Sequence, residues 1–244
     1  MPSRPYPRVS SYSFGPGPIS AALKYLIAAN VALFLMQRVV PNVTLELGLM
    51  PAMVVEQFKI WQLVTYMFLH AGLVHILFNM LALWMFGAEL ERIWGTRYFL
   101  RYYFVTGGGA ALLTVVFAYL FATSLQGAII VGASGAIYGL LLAYAMYFPE
   151  RPIYMYFVFP IPAKYFVLIM GALAFYSSMA ESGGVAHATH LGGLLVGYLV
   201  LKSGRLHPWS EVKYRYLKWR ITRARKRFDV YQGGRPDDWN RRVH

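Results

Sequence analysis

The sequence predicts an all-α, polytopic membrane protein, a bundle of six transmembrane helices with both termini on the cytoplasmic side. Three observations lead there. Of the 244 residues, 58% are hydrophobic and 14% charged, against roughly 25% charged in a soluble domain, and the mean hydropathy is +0.45. Six apolar runs approach the ~17–25 residues that a helix needs to cross a bilayer, or fewer where protein surrounds it. Assigning those runs in order leaves the basic residues of the short loops almost all on one side.

Residues 1–18, rich in Pro, Gly and Ser, read as a flexible cytoplasmic segment. The first apolar run starts only near Ile19, with no small-residue cleavage site after it. It is therefore expected to be a retained first span, 19–38, rather than a removable signal. The connection through Pro41, Pro51 and Trp61 is too apolar for a water-facing loop. It is expected to lie partly in the interface, with its backbone tied down.

Span two covers 68–88 and contains His75 and Asn79; span three covers 98–122, with Gly107–Gly109 near its beginning. Span four, 132–148, follows a short linker. Pro149, Pro152, Pro160 and Pro162 frame the next loop, because proline marks boundaries more often than helix interiors. Spans five and six cover 163–180 and 186–201, so the six-span domain is 19–203.

With the N-terminus inside, Arg4, Arg8, Lys24, Arg92, Arg97, Arg101, Arg151 and Lys164 are cytoplasmic, and only Arg38 and Lys59 face out. The net charge of +13 does not point to nucleic acid, because 13 of the 23 Lys and Arg residues follow the last apolar run. In this basic tail, 204–244, Val212, Tyr216, Ile221, Ala224 and Phe228 recur at near-helical intervals. That pattern fits an amphipathic helix on an anionic inner leaflet, and equally a solvated tail that sets topology. There are no cysteines, which excludes a disulfide framework, a thiol nucleophile and a thiolate metal site.

Polar residues inside three of the spans are the chemical signal, because they are costly in lipid and usually face a bundle interior or a watery cavity. Ser134 sits among small residues at the start of span four. A serine hydroxyl becomes a nucleophile when a base takes its proton, and His190, near the outer end of span six, is the best base available. Gly135 and Gly139 on one helix, and Gly193 and Gly197 on the other, give each a small-residue face. These faces would let the backbones approach closely enough for a hydroxyl–imidazole hydrogen bond, although the same spacing also serves ordinary helix packing.

Attack on a carbonyl creates an oxyanion that needs preorganised donors. The turn at Gly132 leaves backbone N–H groups at a helix N-terminus. His75 and Asn79, four apart, share one helical face and both can donate; alternatively they form an interhelical hydrogen-bonding pair. Tyr138, four residues after Ser134, is placed to hold the His190 ring, unless it is simply a core tyrosine. Glu89, Glu91, Glu150 and Glu181 are expected in loops, so no carboxylate completes a triad. Activity resting on His190 as base should fall as pH drops through its titration.

His70, His75, His187 and His190 raise the question of a metal, but the His-Glu-x-x-His pattern is absent and no span carries a carboxylate. No metal is expected, and His187 reads as support beside the dyad.

These motifs resemble those of the rhomboid family of intramembrane serine proteases. The resemblance runs from LIAANVALFLMQ in span one through HILFN, FGAELERIWGTRYFLRYY, GASGAIYG and AHATHLGG to the end of span six. It implies a dyad of Ser134 and His190, an oxyanion pocket of His75, Asn79 and the Ser134 backbone N–H, and Tyr138 stacked on His190. It further implies a site open to water from outside and single-span membrane proteins as substrates, entering past span five and cut at small residues in easily unwound helix. It implies no cofactor, and a bacterial inner membrane as location. One departure stands out: many members carry Trp-Arg where this chain has Trp61-Gln62, which bears on how the first loop is anchored and not on the dyad. A non-proteolytic rhomboid-like binding or quality-control protein is the alternative, though such relatives typically lack the serine or histidine that this chain keeps. A six-span transporter would call for paired charges or a broken helix at mid-membrane, and none stands out.

Overall fold

A computed structural model describes residues 18–155, 159–178 and 184–205, and they are mostly helical. The chain divides into two units, Met1–Lys202 and Ser203–His244. The first holds the bundle. Of the second, the described residues are the end of the last helix, so the basic tail beyond residue 205, with its amphipathic pattern, lies outside them, as does the N-terminal segment before residue 18.

Helix α1 (Ala21–Val39) opens on Ser20, whose side chain accepts the Leu23 N–H and so meets one of the unpaired donors of the first turn. The long connection that follows is folded rather than loose. It carries short helices α2 (Val43–Leu47), α3 (Pro51–Glu56) and α4 (Gln62–Thr65), then a 3₁₀ turn at Tyr66–Phe68. Helix α5 (Leu73–Trp94) begins five residues later than the apolar run suggested, because Tyr66–Phe68 closes as a 3₁₀ turn and Leu69 is extended. It also ends later, at Gly95, whose φ of 76° makes the sharp joint to α6 (Thr96–Leu120).

The later end corrects one expectation: Glu89 and Glu91 lie in the last turns of α5, not in a loop. Buried Glu91 accepts from Ser20 Oγ and from Thr96 Oγ1 (2.6 Å), tying together the starts of α1 and α6 and the end of α5. Gly107–Gly109 likewise fall in the middle of α6 rather than near its start.

Helices α1, α5 and α6 are long and apolar enough to cross a membrane. Helix α7 (Ser134–Tyr147) has 14 residues and α8 (Ala163–Ser178) has 16. Helix α7 buries residues on all sides, from Gly135 and Ile137 to Leu140, Ala143 and Tyr144, and packs against α5, α6 and α8. Protein surrounds it, so it has no need of a full bilayer-length apolar surface. Outward-facing Leu35, Leu77, Phe78, Leu112, Leu173 and Leu199 are exposed, as on a surface that meets lipid rather than water.

The proline-framed loop after α7 contains an antiparallel hairpin, β1 (Pro152–Met155) with β2 (Phe159–Pro162), in which Pro152 lies opposite Pro162. The two facing prolines have no N–H to donate to each other, and the next link across the strands is the Ala163 N–H donating to the Arg151 carbonyl (2.9 Å). Helix α9 (Gly184–Arg205) completes the described fold.

Candidate functional site

The site is built where α7 and α9 touch backbone to backbone. A Cβ placed on Gly193 would stand 2.0 Å from the Gly135 carbonyl oxygen, and one on Gly197 would stand 3.0 Å from the Gly139 Cα. The two glycine pairs on α7 and α9 thus face each other, and any side chain there would push the helices apart. Tyr102 adds a hydrogen bond from its hydroxyl to the Gly139 carbonyl (2.8 Å), and Thr114 pairs with Thr189 across α6 and α9 (2.9 Å).

That approach brings Ser134 Oγ to 2.8 Å from His190 Nε2. If Nε2 accepts the serine hydroxyl, the ring proton resides on Nδ1. His190 Nδ1 is buried and finds no acceptor, carboxylate or otherwise, among the described residues, outside which Glu181 lies. Orientation comes from packing instead. The Tyr138 ring lies flat on His190, with centroids 4.3 Å apart and planes 6° from parallel, and His187 meets it edge-on at 5.7 Å.

His75 approaches from α5. The Ala71 N–H donates to His75 Nδ1 (3.3 Å), which leaves Nε2 as the protonated, donating nitrogen. A methyl group on Gly132 would stand 2.8 Å from His75 Nε2 and 3.6 Å from Ser134 Oγ, so both polar atoms border the same small space. Gly132 adopts φ 128°, a backbone conformation that disfavours any side chain. Its own N–H is not a free donor: it goes to the Tyr66 carbonyl at 2.9 Å. Gly132 therefore serves the site by giving room and by turning the chain into α7, while the Ser134 N–H lies in the first helical turn, where no intrahelical acceptor exists. Asn79 commits one amide hydrogen to the His75 carbonyl (2.8 Å), and its Oδ1 is buried without a partner among the described residues.

The turn that carries Ser134 is stitched to the first loop. Leu49 and Ile130 exchange backbone hydrogen bonds of 2.9 and 2.8 Å, and the Ala52 N–H donates to Gln126 (2.9 Å). The loop itself is held by Gln62, which is fully buried. Its Oε1 accepts from the Met50 N–H (3.0 Å), and its Nε2 donates to the Leu45 and Glu46 carbonyls (3.0 and 3.2 Å). A neutral amide thus supplies the anchor, satisfying backbone groups on both its ends without burying a charge. The Trp61 indole N–H also reaches the Glu46 carbonyl (3.0 Å), and Lys59 pairs with Glu46.

Ser134, His190, Tyr138, His187, His75 and Gly132 therefore converge, while Asn79 lies one turn after His75 on α5 and is bonded to its carbonyl. Sequence reasoning missed the part played by Tyr66, Thr114 and Thr189, which carry no motif and act through contacts between distant segments.

A family model described as Rhomboid domain matches residues 57–203, more than half of the chain. The chain is 27% identical over 197 residues to "RHOMBOID-like protein 12, mitochondrial" of Arabidopsis thaliana, covering 74% of this chain and 58% of that protein. It is 32% identical over 134 residues to "Rhomboid protein 1, mitochondrial" of Saccharomyces cerevisiae, covering 54% and 38%. It is 31% identical over 146 residues to "Rhomboid protease GluP" of Bacillus subtilis, covering 59% and 26%. The chain thus matches only part of the length of these relatives, between about a quarter and three fifths.

Proposed function

The chain belongs to the rhomboid family of integral membrane proteins, and on that premise we propose that it is a serine endopeptidase that cuts membrane proteins within or beside their transmembrane segments. One relative is named as a protease. The observation that carries the reading for this chain is the 2.8 Å contact between Ser134 Oγ and His190 Nε2.

The reaction follows from the groups at hand. Ser134 Oγ attacks the scissile carbonyl carbon while its proton passes to His190 Nε2. The carbonyl oxygen becomes an oxyanion, met by His75 Nε2–H, the Ser134 N–H and the second amide hydrogen of Asn79. The C–N bond breaks as the imidazolium returns its proton to the leaving amine. Water then attacks the acyl-serine, its proton goes to His190, and Ser134 leaves with a proton restored. No cofactor enters; water is the only co-reactant. Flat stacking on Tyr138 keeps the imidazole plane aligned through both proton transfers, in place of a carboxylate.

Substrates in this reading are single-span membrane proteins, cut at small residues where the helix unwinds readily, because a helical peptide bond hides its carbonyl from attack. The bundle crosses the membrane six times with both termini in the cytoplasm, on the strength of the basic-residue distribution. The basic tail adds attraction to anionic lipid at the inner face. The relatives named above are mitochondrial or bacterial, and so do not favour the bacterial inner membrane expected from the sequence; membrane integration is what they share.

The test is labelling with a serine-reactive fluorophosphonate. The intact chain should be labelled and cut a single-span substrate, and Ser134→Ala should do neither. Equal labelling of the two proteins would remove the protease reading and leave a non-proteolytic, membrane-protein-binding role.

A further inference from the structure

Tyr66 is fully buried, on the 3₁₀ turn between α4 and α5, and lies in none of the motifs that mark the site. It nevertheless touches the serine-bearing segment on both sides of Ser134. Its carbonyl accepts the Gly132 N–H (2.9 Å), two residues before the serine. Its hydroxyl oxygen lies 2.9 Å from where a Cβ on Gly135 would be, immediately after the serine. The same hydroxyl donates to the Gly107 carbonyl in the middle of α6 (2.8 Å). Its neighbour Met67 fills the space over Gly107, where a Cβ would meet the methionine Cε at 2.4 Å and the Ala136 Cβ at 3.3 Å.

We propose that Tyr66 is a positioning residue for Ser134, a strut running from the first loop to α6 that fixes where the α7 N-terminus, and with it the serine hydroxyl, sits relative to His190. The inference rests on the serine-protease reading above. Its physical content is specific. Helix α7 has no side-chain cap at Ala133, so its first turn is held from outside, by the Tyr66 carbonyl at Gly132 and the hydroxyl wedged against Gly135. The hydroxyl is itself fixed by Gly107 on a long helix. Take the hydroxyl away and the carbonyl link stays, but the wedge loses its bond to α6 and Gly135 gains freedom to move toward it. A nucleophile misplaced by a fraction of an ångström still binds substrate but reaches the near-attack geometry less often. The loss should appear in the chemical step.

The experiment is Tyr66→Phe in the full chain, which keeps the ring and the backbone hydrogen bond. Active sites are counted by fluorophosphonate titration, so that any unfolded fraction is removed from the rates, and kcat and KM are measured on a single-span substrate. The expected result is a fall in kcat per titrated site of about tenfold or more, with KM within about twofold and a slower labelling rate by a similar factor. A kcat per site equal to that of the unmodified chain would overturn the proposal, and so would a change confined to the titratable fraction or to KM. Ser134→Ala, run alongside, separates the two layers. If it still labels and cleaves, the protease reading itself is wrong; if it is inert while Tyr66→Phe behaves normally, only the strut is wrong.

Discussion

Gly193→Ala is the substitution that presses hardest on the geometry of the site without touching any reacting group. The added methyl carbon would stand 2.0 Å from the Gly135 carbonyl oxygen and 2.9 Å from the Gly135 carbonyl carbon. Ordinary contact begins near 3.4 Å, and both obstructing atoms are backbone, so no side chain can swing aside. Helices α7 and α9 must part by about 1.4 Å at that level. Ser134 is the residue before Gly135, and His190 lies one helical turn before Gly193, so the parting passes almost directly to the dyad. A 2.8 Å hydrogen bond stretched by more than an ångström is no longer one. Overpacking of this kind costs about 1–3 kcal/mol of stability, and a misplacement of about 1 Å at the reacting groups costs on the order of a hundredfold in rate. The assay is the fluorophosphonate labelling rate, read beside the thermal unfolding midpoint. Gly127→Ala, where a methyl group meets nothing within 4 Å, serves as the control and should label normally. Gly193→Ala labelling at the unmodified rate would refute the claim that the glycine faces set the distance between hydroxyl and imidazole.

Tyr138→Ala should lower kcat about tenfold or more by freeing the His190 ring, whereas Tyr138→Phe, which keeps the stacked face, should retain most of it; equal loss in both would point to the hydroxyl instead. Gln62→Leu removes partners from the Met50 N–H and from the Leu45 and Glu46 carbonyls, and should cost about 2–4 kcal/mol, read as a lowered unfolding midpoint in detergent. An unchanged midpoint would show that the loop is anchored elsewhere. Cleavage should fall as acid protonates His190, because the base works only as neutral imidazole and a protonated His190 cannot accept the Ser134 proton; activity that stays level into acid for as long as the protein remains folded would exclude that role.

Much of this was legible before any coordinates. Charged residues are so scarce, and apolar runs so long, that a helical membrane protein follows from transfer energetics alone. Helix ends were read within a few residues at the start of α7, after Gly132, and at the start of α8, after Pro162. The start and end of α5 were not, because 3₁₀ closure at Tyr66–Phe68 and the continuation of the helix through Glu91 to Trp94 depend on partners elsewhere. Glu91 tolerates burial only because Ser20 and Thr96 come to it, and nothing near it in the chain announces either. The same holds for the hairpin after α7, whose prolines read as a plain loop.

For the site, local spacing was enough to single out Ser134, His190, His75, Asn79 and Tyr138, since each is a polar or aromatic group at a depth where apolar residues are the rule. Facing glycines at four-residue intervals also implied that two backbones could meet. Contacts between remote segments were beyond that kind of reading. Gln62 looked like a missing arginine until its amide was seen holding both ends of the loop, and Gly132 looked like a donor until its N–H was found bonded to Tyr66. Residue identity and spacing decide what a segment can offer, because they set hydrophobicity, helical phase and proton chemistry. Which donor is already taken, and which backbone lies 2 Å from another, is decided only when segments dozens of residues apart are packed together.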